Sequence, residues 1–410
     1  MPNYIALAIP FFLVLIAVEL FAARVRGLDV YRLQDALSDL GCGIGQQVVL
    51  VFAGAALLEA YAALYRHGHL FAFKPGSALP WIVAFLAVDF VYYVWHRLSH
   101  QVNFLWAAHV VHHQSEDYNL AVALRQSILT SFTTLPFNLP LAILGIPPVV
   151  YAAMQALSTL YQFWIHTQLI GKLGFLEAFL NTPSHHRVHH AVNTRYLDRN
   201  YGAVLIVWDR LFGTFAEEVE PAIYGTVKPL RTFNPALAQV AGWVEMGARA
   251  RQLRRWRERV RIPWASPGAG SSAASDRELE RRVKWASAIS PSLKAYALLQ
   301  FATLVAATFV LLLSQDKAPW SNLAIGALLV LWALASVGGL LDGRRWAVPL
   351  ELARLGGVVV AVGWGTRELK VFAMAAAMGA CVGAAVWLLA ASSRLPFERD
   401  EMRAQPEART

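Results

Sequence analysis

Cysteine is nearly absent: Cys42 and Cys381 both lie inside apolar runs. Two buried-type thiols leave no disulfide framework, no cysteine-based zinc site and no iron–sulfur ligation. Charge is scarce as well. Only 15% of the 410 residues are charged, 57% are hydrophobic and the mean hydropathy is +0.43, a balance that excludes an ordinary soluble enzyme and fits a polytopic membrane protein. Flavin, haem and dinucleotide signatures are missing, and no pterin motif is legible. The fold class that follows is all-α, a polytopic helical bundle in the bilayer.

What the chain has in excess is histidine. Ten of its twelve histidines fall between His96 and His190. They form three boxes: His96-Arg-Leu-Ser-His100, His109-Val-Val-His112-His113 and His185-His186-Arg-Val-His189-His190, with His166 alone between the last two. A helix puts residues three and four apart on one face, so each box aims two or three imidazoles the same way and is half of a metal site. Eight to ten convergent imidazoles are too many for one ion, since a catalytic zinc takes three protein ligands and keeps an open position. Two ions is the natural reading. Imidazole suits Zn, Fe, Cu and Ni alike, so the ligands alone do not choose the element.

The boxes sit among membrane spans. Residues 4–23 are about twenty mostly apolar positions, enough to cross a ~30 Å hydrocarbon core. With no basic n-region and no clear cleavage site they read as a retained first span. A second apolar stretch covers about 40–64 and a third about 79–95, with His96 where it ends. Residues 127–166, broken by Pro136, Pro140 and Ile146-Pro-Pro148, read as a helical hairpin that dips in and returns His166 to the face of the other boxes. His186, His189 and His190 fall in a helix opened by Thr182-Pro-Ser184.

Four domains are expected: a membrane-embedded catalytic part at 1–230, a basic surface helix and flexible linker at 231–290, a histidine-free bundle of four spans at 291–392, and a polar tail at 393–410. The linker proper is IPWASPGAGSSAASDRELE, 262–280. Arg24, Arg26, Arg32, the arginines among the boxes and the run Arg249 to Arg261 fall on one side if the first three spans are crossed in turn. By the positive-inside rule that side is cytoplasmic, which accounts for the net charge of +9. The 249–261 helix then reads as a surface helix on anionic headgroups; no nucleic-acid partner is implied.

Histidine-rich ligation with few carboxylates at the ends of spans suits an iron pair that activates O2 and attacks an unactivated C–H bond of a lipid drawn from the bilayer. A hydrolytic dizinc site draws on carboxylates, and only Glu116 and Asp117 stand near a box. They are candidates for orienting imidazole N–H groups. Asp89, seven residues before His96, is a candidate for the same or a structural role, because an ionisable group inside a span points into the bundle and pairs. Asn119, Arg125, Asn193, Asp198 and Asn200 are candidates for a headgroup or cofactor pocket, with capping and loop bonding as the alternative. Trp106, Tyr118 and Trp164 are placed to wall a substrate channel. A membrane metal-binding or transport protein is the reading from another class.

The three boxes in this order after membrane spans resemble the fatty acid hydroxylase and sterol desaturase superfamily of membrane di-iron enzymes. Trp106-Ala-Ala-His-Val-Val-His-His-Gln-Ser-Glu-Asp-Tyr-Asn119, Ala123-Leu-Arg-Gln-Ser127, Tyr161 to His166, Asn181 to His190, Asn200-Tyr-Gly202 and Trp208 to Phe215 look like its alkylglycerol monooxygenase branch. Leu340-Leu-Asp-Gly-Arg344 and the C-terminal spans resemble that branch too. The resemblance implies that His96, His100, His109, His112, His113, His186, His189 and His190 hold two iron ions, with His166 and His185 as additional histidines of the pattern and zinc as an alternative occupant. It implies oxidation of the O-alkyl bond of glyceryl ethers with O2 and tetrahydrobiopterin or another external reductant, to a hemiacetal that falls apart into glycerol and a fatty aldehyde. The other enzyme reading is a fatty acyl or sterol-type hydroxylase or desaturase fed by an electron-donor protein. Gln101 stands where the pattern implies an acidic residue after the second histidine of the first box, and joins the candidates near the metals.

Overall fold

The computed structural model describes residues 4–74, 76–268, 275–365 and 370–392. Among the described residues every regular element is a helix, and the only β-type pairing is two isolated bridges, Leu180 with Leu205 and Ala191 with Tyr224. The chain divides into two compact units, Met1–Leu230 with Leu237–Lys284, and Arg231–Ala236 with Trp285–Thr410. The 231–290 segment is thus shared between them. The tail 393–410 lies outside the described residues, as do 269–274 of the linker.

In the first unit α1 covers Tyr4–Val25, α2 Leu33–His67, α3 Leu79–Gln101, α4 Asn103–His113, α5 Thr130–Ile143, α6 Pro148–Trp164, α7 Pro183–His190, α8 Val207–Leu211, α9 Pro235–Gln252, α10 Trp256–Arg259 and α11 Asp276–Glu280. α1, α2 and α3 are long and apolar enough to cross a membrane. With two more such helices in the second unit, the protein is a multi-pass membrane protein.

Two boundaries move from the sequence reading. α2 has 35 residues, far longer than the apolar stretch, because its polar first turns are buried against the histidine-bearing segment: Asp35 accepts from Ser115 Oγ (2.8 Å) and Asp39 pairs with Arg125 (3.0 Å). α3 does not stop at residue 95 but runs on to Gln101, which keeps His96 and His100 one helical turn apart on a single face. α5 and α6 are joined by a turn at Gly145 (φ +98°), where a Cβ would collide with the Phe71 carbonyl, and each packs on α2 and α3, so the expected hairpin is two helices laid against those spans. The 249–261 stretch is not one helix. α9 ends at Gln252 and α10 begins at Trp256.

The second unit holds α12 Pro291–Ser314, α13 Trp320–Leu341, α14 Ala347–Gly365 and α15 Lys370–Ser392. α12 and α13 meet the length and hydropathy of a span. α14 carries a buried ion pair, Glu351 with Arg354, whose remaining bonds go to Tyr296 Oη (2.8 Å), Ser336 Oγ (2.6 Å) and Gln300 Oε1 (2.7 Å). Fully bonded in this way, the pair escapes the cost of isolated charge in an apolar bundle.

Candidate metal centre

Nine histidines converge in two groups, within each of which one ring nitrogen per residue lies within 4.8 Å of the others. Group one is His96, His100, His109, His113 and His189; group two is His112, His166, His186 and His190. Helical spacing explains the partition. His96 and His100 are an i, i+4 pair of α3 and both serve group one. In α4 the i, i+4 pair His109 and His113 serves group one while His112 turns to group two. In α7 the pair His186 and His190 serves group two while His189 turns back to group one. Consecutive residues on a helix point about 100° apart, so the dipeptides His112-His113 and His189-His190 each feed both groups and tie them together. His166, just past α6, completes group two. His185 joins neither: its Nδ1 bonds the Leu180 carbonyl (3.2 Å) and its Nε2 lies 3.9 Å from Glu177.

The ring nitrogens are arranged for a cation. Nδ1 of His96 meets the carbonyl of Tyr201 (2.8 Å), Nδ1 of His112 that of Arg125 (3.0 Å), Nδ1 of His166 that of Gln162 (2.7 Å), and Nδ1 of His189 that of Arg199 (2.9 Å). A carbonyl only accepts, so each Nδ1 carries the proton and, in a neutral ring, Nε2 is left with a bare lone pair. His112 and His166 then face each other Nε2 to Nε2 at 3.3 Å with no proton between them. Other Nε2 pairs stand as close: His96 with His109 at 3.0 Å, His113 with His109 at 3.2 Å, His186 with His166 at 3.0 Å. Nε2 of His100, His189 and His190 makes no hydrogen bond at all.

Burial, and then the neighbouring imidazoles, push His109, His113, His186 and His190 well below the ordinary histidine range, and burial takes His112 to about 4. The rings are therefore neutral at physiological pH. Facing lone pairs buried away from water are costly and are satisfied together by a metal ion, so this donor set fits one ion per group.

One short loop orients most of group one. Asp198 and Asn200 both take left-handed backbone angles (φ 58° and 55°), which non-glycine residues rarely adopt and which Asn and Asp tolerate best. The loop offers three successive acceptors: Asp198 Oδ1 lies 3.5 Å from His100 Nδ1, the Arg199 carbonyl takes His189, and the Tyr201 carbonyl takes His96. Its shape is held from behind. Asn200 Nδ2 donates to the carbonyls of His185 (3.1 Å) and Ala216 (2.8 Å), and its Oδ1 accepts from Ala216 N (2.8 Å). The Asp209 carboxylate accepts from Tyr201 N and Gly202 N, both at 2.8 Å. A Cβ at Gly202 would come within 2.5 Å of the Leu205 carbonyl, so only glycine fits.

The remaining candidates take structural posts. Asp89 accepts from Val204 N (2.8 Å), Leu205 N (3.2 Å) and Trp208 Nε1 (2.8 Å), mounting the same loop on α3. Asp117 pairs with Arg32 (2.9 Å) and Lys284 (2.7 Å), and Glu116 lies 3.8 Å from Arg32 and from Arg282. These acids engage cations, and backbone carbonyls do the orienting expected of them. Gln101 is exposed at the end of α3.

Arg125 is no headgroup ligand. Fully buried, it bonds the Val111 carbonyl, Gln114, Ser38 and Asp39, closing the C-terminal end of α4. Asn119 bonds the Val30 carbonyl and Ala121 N, and Asn193 bonds Ile223 N and the Pro221 carbonyl, both as loop pins. Trp106 packs on His100 (5.0 Å between centroids) and Tyr118 on His190 (5.3 Å). Thr182 does stand at the N-cap of α7, but its hydroxyl bonds Glu177. Glu19, deep in α1, accepts from Leu120 N (2.8 Å) and from the Tyr31 and Thr167 hydroxyls, pinning the segments beside Tyr118 and His166.

Residues 81–214, which contain every histidine of both groups, match the family model for fatty acid hydroxylase. The chain is 39% identical to human alkylglycerol monooxygenase and 36% identical to the zebrafish (Danio rerio) protein of that name, each over 86% of this chain and 81% of the relative. It is also 29% identical to an ornithine lipid hydroxylase of Rhizobium tropici over 48% of this chain and 61% of that protein. No solved structure matches it. The chain belongs to the fatty acid hydroxylase family, within its alkylglycerol monooxygenase branch.

Proposed function

We propose that the protein is a membrane di-iron monooxygenase that oxidises the O-alkyl carbon of alkylglycerols, releasing a fatty aldehyde and glycerol. The lipid-oxidising part rests on the relatives, two of which carry the name alkylglycerol monooxygenase across most of their length. The metal part rests on one observation, the His112 and His166 lone pairs held face to face. Group one would hold one iron and group two the other; zinc is an alternative occupant of the same nitrogen donors. Bound there, the iron pair supplies O2 activation for attack on an unactivated C–H bond.

The protein's own residues do the rest. The carbonyls of Arg125, Gln162, Arg199 and Tyr201 fix each tautomer so that Nε2 faces inward. Burial keeps the rings neutral and water out. Electrons come from tetrahydrobiopterin or another external reductant, and the histidine side faces the cytoplasm, a placement supported by the basic residues from Arg24 to Arg261 under the positive-inside rule. Similarity to an ornithine lipid hydroxylase and to human lathosterol oxidase, 25% identical over 49% of this chain, supports a second reading, hydroxylation or desaturation of an acyl or sterol-type lipid with a separate electron-donor protein.

The test is to purify the protein in detergent, measure iron per chain, and supply O2, reduced pterin and an alkylglycerol. Aldehyde is expected, and its loss in His112→Ala with the protein still inserted. Iron without aldehyde favours the second reading; a chain that takes up no metal overturns both.

A further inference from the structure

The arginine-rich stretch after α9 forms a hook. Past Gln252 the chain bends, with Arg259 Nε donating to the Leu253 carbonyl (2.9 Å) across the bend, and continues through α10 into one further turn, Ile262–Trp264. Six arginines between Arg251 and Arg261 are exposed, against a single acid, Glu258. Trp256, Val260 and Trp264 recur every four residues along these turns and are 67%, 57% and 73% exposed. An apolar stripe edged with cations has the composition of a segment lying in the headgroup region of an anionic bilayer.

The hook also stands at the right height. Asn103, just beyond the end of α3, donates from its backbone N to the Ala265 carbonyl (2.9 Å) and from Nδ2 to the Ile262 carbonyl (3.1 Å). α3 is long and apolar enough to cross the bilayer, so these bonds fix Trp264 near the mouth of a span, the level at which tryptophan collects. The same bonds lead to the metal centre, because Asn103 opens α4.

α9 grips α4 along its back. Phe104 meets Trp243 edge-on (5.2 Å), a Cβ at Gly242 would come within 2.7 Å of the Ala107 carbonyl, and Gln114 Nε2 donates to the Ala238 carbonyl (3.3 Å). At about 100° per residue these α4 positions lie opposite His109, His112 and His113. α9 and the hook thus form one arm that holds three candidate ligands from behind and ends in a basic, aromatic tip.

We propose that this tip docks on the headgroups of anionic phospholipids and that docking steadies α4. Guanidinium groups pair with phosphate oxygens, and the exposed indoles and Val260 fit the apolar boundary beneath the headgroups, which free phosphate lacks. The docking is independent of the reaction at the metal centre.

The test places the full chain in nanodiscs of phosphatidylcholine alone or with phosphatidylglycerol added, and follows hydrogen exchange of peptides covering 253–265 and 103–108. With the anionic lipid, exchange is expected to slow at least about fivefold in both segments, and the difference to vanish at about 0.5 M salt, where charges are screened within a few ångströms. Arg254→Gln, Arg255→Gln and Arg257→Gln combined should abolish the difference, while lysine at the same three positions should keep it. Equal exchange in the two nanodiscs, or a difference that survives the glutamine variant, overturns the docking. Protection of 253–265 in neutral nanodiscs by inorganic phosphate or a single-stranded oligonucleotide, as strong as that from phosphatidylglycerol, overturns it too. Slowed exchange at 253–265 with 103–108 unchanged overturns the steadying of α4 and leaves the docking standing.

Discussion

If the 198–201 loop orients group one, loosening it should release one ion and spare the other. Asn200→Ala is the sharpest perturbation, because Asn200 touches no ring. It removes three hydrogen bonds, to the His185 and Ala216 carbonyls and from Ala216 N, and puts alanine at φ 55°. Each buried partner left unsatisfied costs about 1–3 kcal/mol, and alanine tolerates the left-handed conformation less well than asparagine. The loop is thus strained by roughly 3 kcal/mol or more, enough to shift the Arg199 and Tyr201 carbonyls away from His189 and His96. Loss of such orienting partners lowers metal affinity about 10–100-fold. Group two relies on Arg125 and Gln162 instead and should keep its ion. The assay is metal per chain after dialysis against graded chelator. Wild-type protein should lose its two ions at similar chelator strength, and Asn200→Ala should stop at one per chain over at least a tenfold range. Asn200→Gly, which relieves the backbone strain but not the lost bonds, should fall between. Retention of both ions at wild-type chelator strength would refute the idea that the loop holds the rings.

Adjacent histidines should behave differently: His185→Ala should keep both ions, while His186→Ala should lose the one in group two, read as metal per chain. Arg125→Leu should lower stability by about 3–5 kcal/mol, since it leaves Asp39 buried without its partner. Thermal unfolding in detergent measures this, and adding Asp39→Leu should restore part of the loss; no change in the single variant would contradict the buried-pair reading. In metal-free protein His109, His112, His113, His186 and His190 bind protons less readily folded than unfolded, so the unfolded state is the one favoured by acid. Their contribution is complete above about pH 6.5, the ordinary histidine value, and is lost as pH falls toward the value of about 4 reached by His112. Unfolding midpoints measured from pH 7.5 to 4 should drop across that window; a flat profile would mean the rings are not buried.

What the sequence made legible and what it hid divide along one physical line. All the candidate ligands but His166 sit on helices, where a spacing of three or four residues fixes direction, so His96 with His100, His109 with His113 and His186 with His190 are readable from the sequence as pairs. The same rule separates His112 from His113 and His189 from His190, although nothing in the sequence assigns each member to a group, because that depends on how α4 packs against α7. The orienting groups were illegible for a different reason. Four of them are main-chain carbonyls, of Arg125, Gln162, Arg199 and Tyr201, and a carbonyl has no residue type. What signal there was lay in Asn200-Tyr-Gly202: an asparagine able to turn left-handed, followed by a glycine that nothing larger can replace. Glu116 and Asp117 drew attention by standing beside a histidine box, yet adjacency in a loop sets no direction, and Arg32 is near both of them. A carboxylate on an imidazole adds negative charge to the metal, whereas a carbonyl fixes the tautomer and adds none. The structure uses mostly the second device, which leaves two groups of neutral candidate ligands in an apolar setting, where ions held by them would keep their full positive charge for chemistry at the site.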